Sequence, residues 1–278
     1  MEWTKECGLY LCGKMARFFA DGDEISRSEV LSFARDSVSE DGPLRLSFAA
    51  ANACELAACG KTLFFALDET GDERYRQALD DVFSLNETEP APDSPVALYC
   101  AAPFIAEYDT RFGKKETYKF IAGQFKTVHQ ALFDKEKGLY RTDGDGFSIE
   151  NEGYMLMALT DTVEKLDMQI YEHYRTLADL FLEAVRGLQR YGADGNSGPA
   201  LHLPGEDLKK QWDLHGKLMI VYAVLKGVRL GLLDAEKYGE TALMELGNLE
   251  KLCQTDKFWF SDALLQLAQA EERAVKQQ

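Results

Sequence analysis

The sequence predicts an all-α protein built as an (α/α)6 barrel, a helical toroid, with an incomplete set of eleven of its twelve helices legible. Strand signals are nearly absent, whereas apolar residues recur three and four apart along most of the chain, punctuated by Gly, Pro and Asp clusters. The helical segments also alternate in kind, apolar on every face and then striped on one. A helix apolar all round must be enclosed, and a striped one covers it, so pairs joined by short turns stack as hairpins about a common axis.

In order, an apolar-rich helix is expected from Lys5 to Ala20, ended by Asp21-Gly22-Asp23. Ser26, with Glu29 three residues on as in a capping box, opens a shorter helix to about Val38. Ala50 to Leu67 is apolar on most faces, and Glu73 to Leu85 is amphipathic. Val96 to Ala106 is apolar all round, with Pro103 expected to kink it or displace its start. Lys114 to Phe133 is striped through Tyr118, Ile121, Phe125, Val128 and Leu132. Gly153 to Val163 is enclosed, Ile170 to Leu188 striped, Leu218 to Leu230 enclosed and Ala235 to Leu252 mixed. A last helix runs from about Phe258 to Ala274. A two-domain helical bundle competes with the toroid, but no Pro- or Ser-rich linker divides the chain, so residues 1–278 read as one domain. Gly192 to Gly205, with two prolines and four glycines, reads as a loop at the barrel mouth.

Composition narrows the function. The 46% hydrophobic and 11% aromatic content is that of a folded globular chain. A formal charge of −16 argues against nucleic acid and anionic membranes, and a polyanion could bind only through a local patch of opposite sign. The six cysteines form no CxxC, and no signal peptide is visible, so reduced thiols in a cytoplasm are expected. No apolar run reaches ~18 residues, so no transmembrane helix is expected. Four scattered histidines, none at ligand spacing to another, speak against a metal, and no cofactor is expected. His129 and His173 read as solvated residues of outer helices, and His202 as plain surface. The sequence is silent on oligomeric state.

The middle of the chain carries the densest polar cluster. Gly138 to Gly153 holds four glycines and two Asp-Gly steps, which mark a loop. Asp143, Asp145, Glu150 and Glu152 crowd into ten residues beside Tyr140 and Phe147, and the apolar run from Tyr154 follows. Such a loop can rim a pocket. A solvated connector with ordinary turn residues is the plainer alternative.

Gly60-Lys61-Thr62-Leu63-Phe64-Phe65-Ala66-Leu67-Asp68-Glu69-Thr70-Gly71-Asp72-Glu73-Arg74-Tyr75, Leu98 to Tyr108, Gln124-Phe125, Gly138-Leu139-Tyr140, Gly153 to Asp161 and Tyr222 to Leu233, in that order and spacing, resemble the unsaturated rhamnogalacturonyl hydrolases and unsaturated glucuronyl hydrolases. The resemblance covers roughly Asn52 to Leu246 and implies the (α/α)6 barrel reached independently above. It implies removal of a terminal 4,5-unsaturated uronic acid from an oligosaccharide. An aspartic acid protonates the C4=C5 bond, water adds at C5, and the hemiketal opens, with no metal required.

Carried over position by position, that site is altered. The family's acid before Pro-Phe falls on Val96, with Asp93 nearby. Its His-x-Trp-Asp falls on Thr142-Asp143-Gly144-Asp145, keeping the last acid. Its Trp-x-Arg-x-x-Gly-Trp becomes Ser148 to Tyr154, with Glu150 in place of the cation, where an acid would repel a uronate. Candidate acids are therefore Asp145 and Asp143. Candidate sugar-binding residues are Tyr99, Tyr140, Glu150, Tyr154, Trp212, Asp213 and His215. For Trp212 and His215 a hydrophobic staple and a satisfied helix residue are the plainer alternatives. Two functions remain: an enzyme acting on oligosaccharides with an altered substrate, or a non-catalytic carbohydrate-binding or scaffolding relative. The lost acid, Arg and Trp positions favour the second for the original reaction.

Overall fold

The structure is a computed structural model that describes residues 2–45, 52–88, 93–142, 146–192, 211–254 and 259–277. Its helices are α1 (Lys5–Asp21), α2 (Glu24–Ser37), α3 (Ala53–Thr70), α4 (Glu73–Thr88), α5 (Pro95–Phe112), α6 (Tyr118–Leu132), α7 (Ile149–Lys165), α8 (Tyr171–Gly192), α9 (Gln211–Arg229), α10 (Glu240–Cys253) and α11 (Trp259–Lys276). A π-helical turn, Ala235–Gly239, leads into α10, and a short antiparallel ribbon pairs β1 (Phe133–Asp134) with β2 (Leu139–Tyr140).

The odd-numbered helices form a closed ring, each packed on the next, with α11 returning to α1. The even-numbered helices lie outside: α2 on α1 and α3, α4 on α3 and α5, α6 on α5, α8 on α7, and α10 on α9 and α11. This is an (α/α)6 barrel with six inner helices. Among the described residues five outer helices cover it, and none lies over the seam between α11 and α1.

Local chemistry sets the ends. Thr4 accepts the Cys7 N–H to start α1, and Gly22 ends it at φ 68°, a conformation that costs glycine little. Asn52 and Glu55 form a full capping box on α3. Several expected boundaries differ, among them the start of α9, at Gln211 rather than Leu218. Helix α2 starts at Glu24, because Asp23 caps it, accepting the Ile25 N–H and the Ser26 hydroxyl. Pro103 neither starts nor ends α5, which runs through it from Ser94, the cap, and Pro95. Helix α6 begins at Tyr118 because the Asp109 carboxylate draws in the N–H groups of Lys115 and Thr117, each at 2.8 Å, and holds that stretch in a turn.

The ring buries α9 almost wholly, from Leu214 to Val228. On striped α6, by contrast, Tyr118, Ile121, Phe125 and Val128 are buried while Lys119 and Lys126 face solvent. Close approach of α7 to α9 requires glycine: a Cβ on Gly153 would meet the Met219 side chain at 2.6 Å, and one on Gly216 would meet Ile149 at 2.8 Å.

Candidate functional site

Side-chain pairs show that the inner helices run parallel. At their N-terminal ends, Lys5 of α1 lies over the Tyr154 ring of α7 at 5.9 Å. At their C-terminal ends, Arg111 of α5 pairs with Asp68 of α3, Lys226 of α9 with Asp161 and Glu164 of α7, and Arg229 with Glu271 of α11. The two ends differ in their connections. Short turns at Gly22, Gly71, Gly113 and Gly231 follow the C-termini of four inner helices. The connections that enter an inner helix from an outer one meet it at its N-terminus. Those connections border the N-terminal end, which is the mouth.

Asp143 and Asp145 lie outside the described residues. Their flanks are described: the Thr142 N–H donates to the Gly146 carbonyl at 2.8 Å, Arg141 bridges Phe147, and Asn151 Nδ2 donates to the Arg141 carbonyl at 3.1 Å. Arg141 is therefore tied to the first turn of α7. That turn begins at Ile149, not Gly153, because Ser148 caps it by accepting the N–H groups of Glu150 and Asn151. Glu150 and Glu152 thus belong to a helix.

Glu150 is half-buried at the mouth. Desolvation raises its pKa, with Lys5 opposing and Glu6 adding to the rise. Lys5 itself is 3.6 Å from Glu6. Tyr154, one turn deeper, is buried and packs its ring 5.5 Å from that of Tyr99. The mouth therefore gathers Lys5, Glu6, Glu150 and Tyr154.

Other candidates lie elsewhere. Tyr140 is fully buried, its hydroxyl 2.8 Å from His129 Nδ1 and its N–H bonded to Glu152. His129 is accordingly not solvated: it is buried against the Phe133 and Tyr140 rings, and desolvation lowers its pKa. His173 is partly buried, and His202 lies outside the described residues. Burial drives the Glu152 pKa up to about 8, only partly offset by the Tyr140 N–H. His215 is buried, with Nε2 2.9 Å from the Ser261 hydroxyl and its ring on Phe260, so it joins α9 to α11. Trp212 and Asp213 lie in the first turn of α9, and their side chains fall outside the described set. Val96 is half-buried against the core in the first turn of α5. Asp93 is exposed and lines a groove of about 550 Å³ with Phe83 and Phe120, between the outer helices and off the barrel axis.

The opposite end holds charged groups that sequence reading did not single out. Lys226 Nζ lies 2.8 Å from Asp161, 2.7 Å from Glu164 and 3.0 Å from the Tyr222 hydroxyl, which donates to Asp161 at 2.7 Å. Burial alone would strip the Lys226 charge, but the two carboxylates outweigh it and raise its pKa. Burial likewise opposes the Glu164 charge, yet Lys226 and Arg229 together hold its pKa at about 2. Isolated charges inside apolar runs were the only signal in the sequence. Among the described residues, no group of three or more His, Cys, Asp or Glu side chains could hold a metal. Cys7, Cys12, Cys59 and Cys100 are free thiols, and no described helix is long and apolar enough to cross a membrane.

Comparison with known structures supports the architecture. A family 105 glycoside hydrolase from C. acetobutylicum superposes with a TM-score of 0.80 at 22% identity, over 98% of this chain and 94% of that one. A family 88 glycosyl hydrolase from Bacteroides vulgatus gives 0.79 at 14% identity, over 99% and 92%. An unsaturated glucuronyl hydrolase specific for heparin gives 0.65 at 12%, over 99% and 87%. At such identities the likeness shows the fold alone. No curated protein matches in sequence. Residues 1–257 match the profile of Glycosyl Hydrolase Family 88, and the chain belongs to that family.

Proposed function

We propose that the chain is a glycoside hydrolase acting at the barrel mouth on oligosaccharides that end in a 4,5-unsaturated uronic acid, with a substrate preference altered by its substituted pocket. The observation that supports this reading is the grouping of Lys5, Glu150 and Tyr154 at the N-terminal end of the inner helices. Asp145 or Asp143 supplies the proton to C4, water adds at C5, and the hemiketal collapses to free the remaining sugar. The cation expected at position 150 comes from α1 instead: Lys5 holds the uronate carboxylate while Tyr154 offers a ring to the sugar face. The upward pKa shift of Glu150 reduces the charge it sets against that carboxylate.

A non-catalytic, sugar-binding role is the second reading, favoured by Val96 at the acid position and by Asp93 on the outer groove. Loss of absorbance from the C4=C5 bond, followed over a panel of unsaturated oligosaccharides, separates the two. Turnover that falls ~100-fold or more in Asp145→Asn or Asp143→Asn supports the enzyme. Binding without turnover on every substrate supports the second reading, and turnover untouched by both substitutions removes the loop acids.

A further inference from the structure

At the end of the ring opposite the mouth, the inner helices enclose a cavity of about 240 Å³. It adjoins a wider opening of about 480 Å³, and the two share Cys12, Met15, Phe19, Tyr222 and Lys226. Phe19, 71% exposed, stands at the lip, so solvent reaches the interior from this side.

The acids of the inner cavity are already paired. Asp161 and Glu164 meet Lys226, Glu164 also meets Arg229 at 2.5 Å, Glu107 meets Lys165 at 2.9 Å, and Asp68 meets Arg111. Lys61 differs. Among the described residues no carboxylate lies within ion-pair distance of its ammonium. The Nζ donates to the Tyr99 carbonyl at 3.3 Å and sits 4.5 Å from the Tyr99 ring centre. An ammonium has three donors, so two remain for a ligand.

Two further polar atoms are in the same position. Tyr99 is 2% exposed, and among the described residues its hydroxyl has no hydrogen-bond partner. Asp161 uses a single oxygen, Oδ1, for both Tyr222 and Lys226, which leaves Oδ2 as an acceptor. One unmatched cation, one hydroxyl and one carboxylate oxygen thus face a small space walled by Phe64 and Tyr99.

Size and charge fix the ligand class. The cavity is smaller than the ~300–1,000 Å³ usual for drug-sized molecules, which leaves room for about one sugar ring. One unmatched positive charge suits one carboxylate. A phosphate dianion would meet the same single cation with the cavity's carboxylates close by. We infer that this cavity is a second binding site for a monosaccharide-sized hydroxycarboxylate, a sugar acid whose carboxylate pairs with Lys61 and whose hydroxyls meet Tyr99 and Asp161. The site is separate from the mouth and does not depend on the reaction proposed there.

Isothermal titration calorimetry of the full chain with D-galacturonate, D-galactose and inorganic phosphate tests this. One galacturonate is expected to bind, with galactose and phosphate at least about tenfold weaker. Lys61→Met should bring galacturonate down to the level of galactose, whereas Lys126→Gln, on the solvent face of α6, should leave it unchanged. Absence of galacturonate binding, equal binding of galactose, or galacturonate binding that survives Lys61→Met overturns the inference. Should Lys61→Met fail to fold by circular dichroism, hydrogen exchange on the unmodified chain decides. Galacturonate-dependent protection of 61–68 and 222–229 supports the site, and protection confined to 146–154 refutes it.

Discussion

Glu152, in the first turn of α7, accepts the backbone N–H of Tyr140, in β2, and so ties the central ribbon to an inner helix from within the core. The second carboxylate oxygen, Oε2, has no partner among the described residues. This is an arrangement for a carboxylic acid rather than a carboxylate.

The consequence is a pH-dependent stability. With the folded pKa raised to about 8 from an ordinary 4.5, the contribution of Glu152 is complete below about pH 4.5 and is lost as pH rises towards 8. A shift of that size corresponds to on the order of 5 kcal/mol. His129 works in the opposite sense, because with its lowered pKa its contribution is complete above its unfolded value and is lost as pH falls through the folded one. Glu152→Gln should therefore be more stable than the native chain at pH 8 and nearly equal to it at pH 4.5. Urea unfolding at both values checks this, and an equal difference at the two would contradict it.

Lys226 is the hub of the closed end, and removing it strands Asp161 in the barrel interior. Lys226→Met should cost about 3–5 kcal/mol, the usual consequence of breaking a buried ion pair from one side. Combining it with Asp161→Asn should recover part of the loss, since the stranded charge is then gone. Denaturant titration of the two single variants and the double variant gives the coupling directly.

Gly187, inside α8, is a position where alanine would ordinarily favour the helix. Here a Cβ would fall on the carbonyl oxygen of Gly138, in the turn between β1 and β2. Gly187→Ala should thus destabilise, by about 1–3 kcal/mol, because the obstacle is backbone and cannot rotate away. A rise in the unfolding midpoint would show that the ribbon does not press on α8.

Turnover of simple unsaturated rhamnogalacturonyl or glucuronyl disaccharides should be slow. Val96 cannot carry a proton, and Glu150 stands where the resemblance implies a cation. Restoring the charge with Glu150→Arg should lower KM for a uronide more than it raises kcat, since it acts on binding. A change in kcat alone would place position 150 against the reacting atoms.

Periodicity made the inner and outer helices legible, because burial on all sides and burial on one side leave different marks in a sequence. The start of α7 was not legible: Glu150-Asn151-Glu152 looks like the tail of a polar loop until the hydroxyl of Ser148 is seen to cap it. His129 likewise carries no local sign that Tyr140, from the ribbon, encloses it. The charged end escaped notice for a stronger reason. Lys61, Asp161 and Lys226 each sit in a motif that pointed to the family, yet Asp161 and Lys226 are 65 residues apart and meet only once the ring closes. At the mouth, nothing local marks Lys5, which stands far in sequence from the α7 ring it covers, that of Tyr154.

The two ends of the ring also differ in what they ask of evolution. Tight glycine turns and interlocked ion pairs at one end leave little freedom, since a change there disturbs several helices together. The connections at the other end are attached to helices already held by the ring, so their lengths and side chains can drift without unfolding the barrel. Selection can then replace a substrate, or abandon catalysis, while the scaffold that expresses and survives in the cell remains the same.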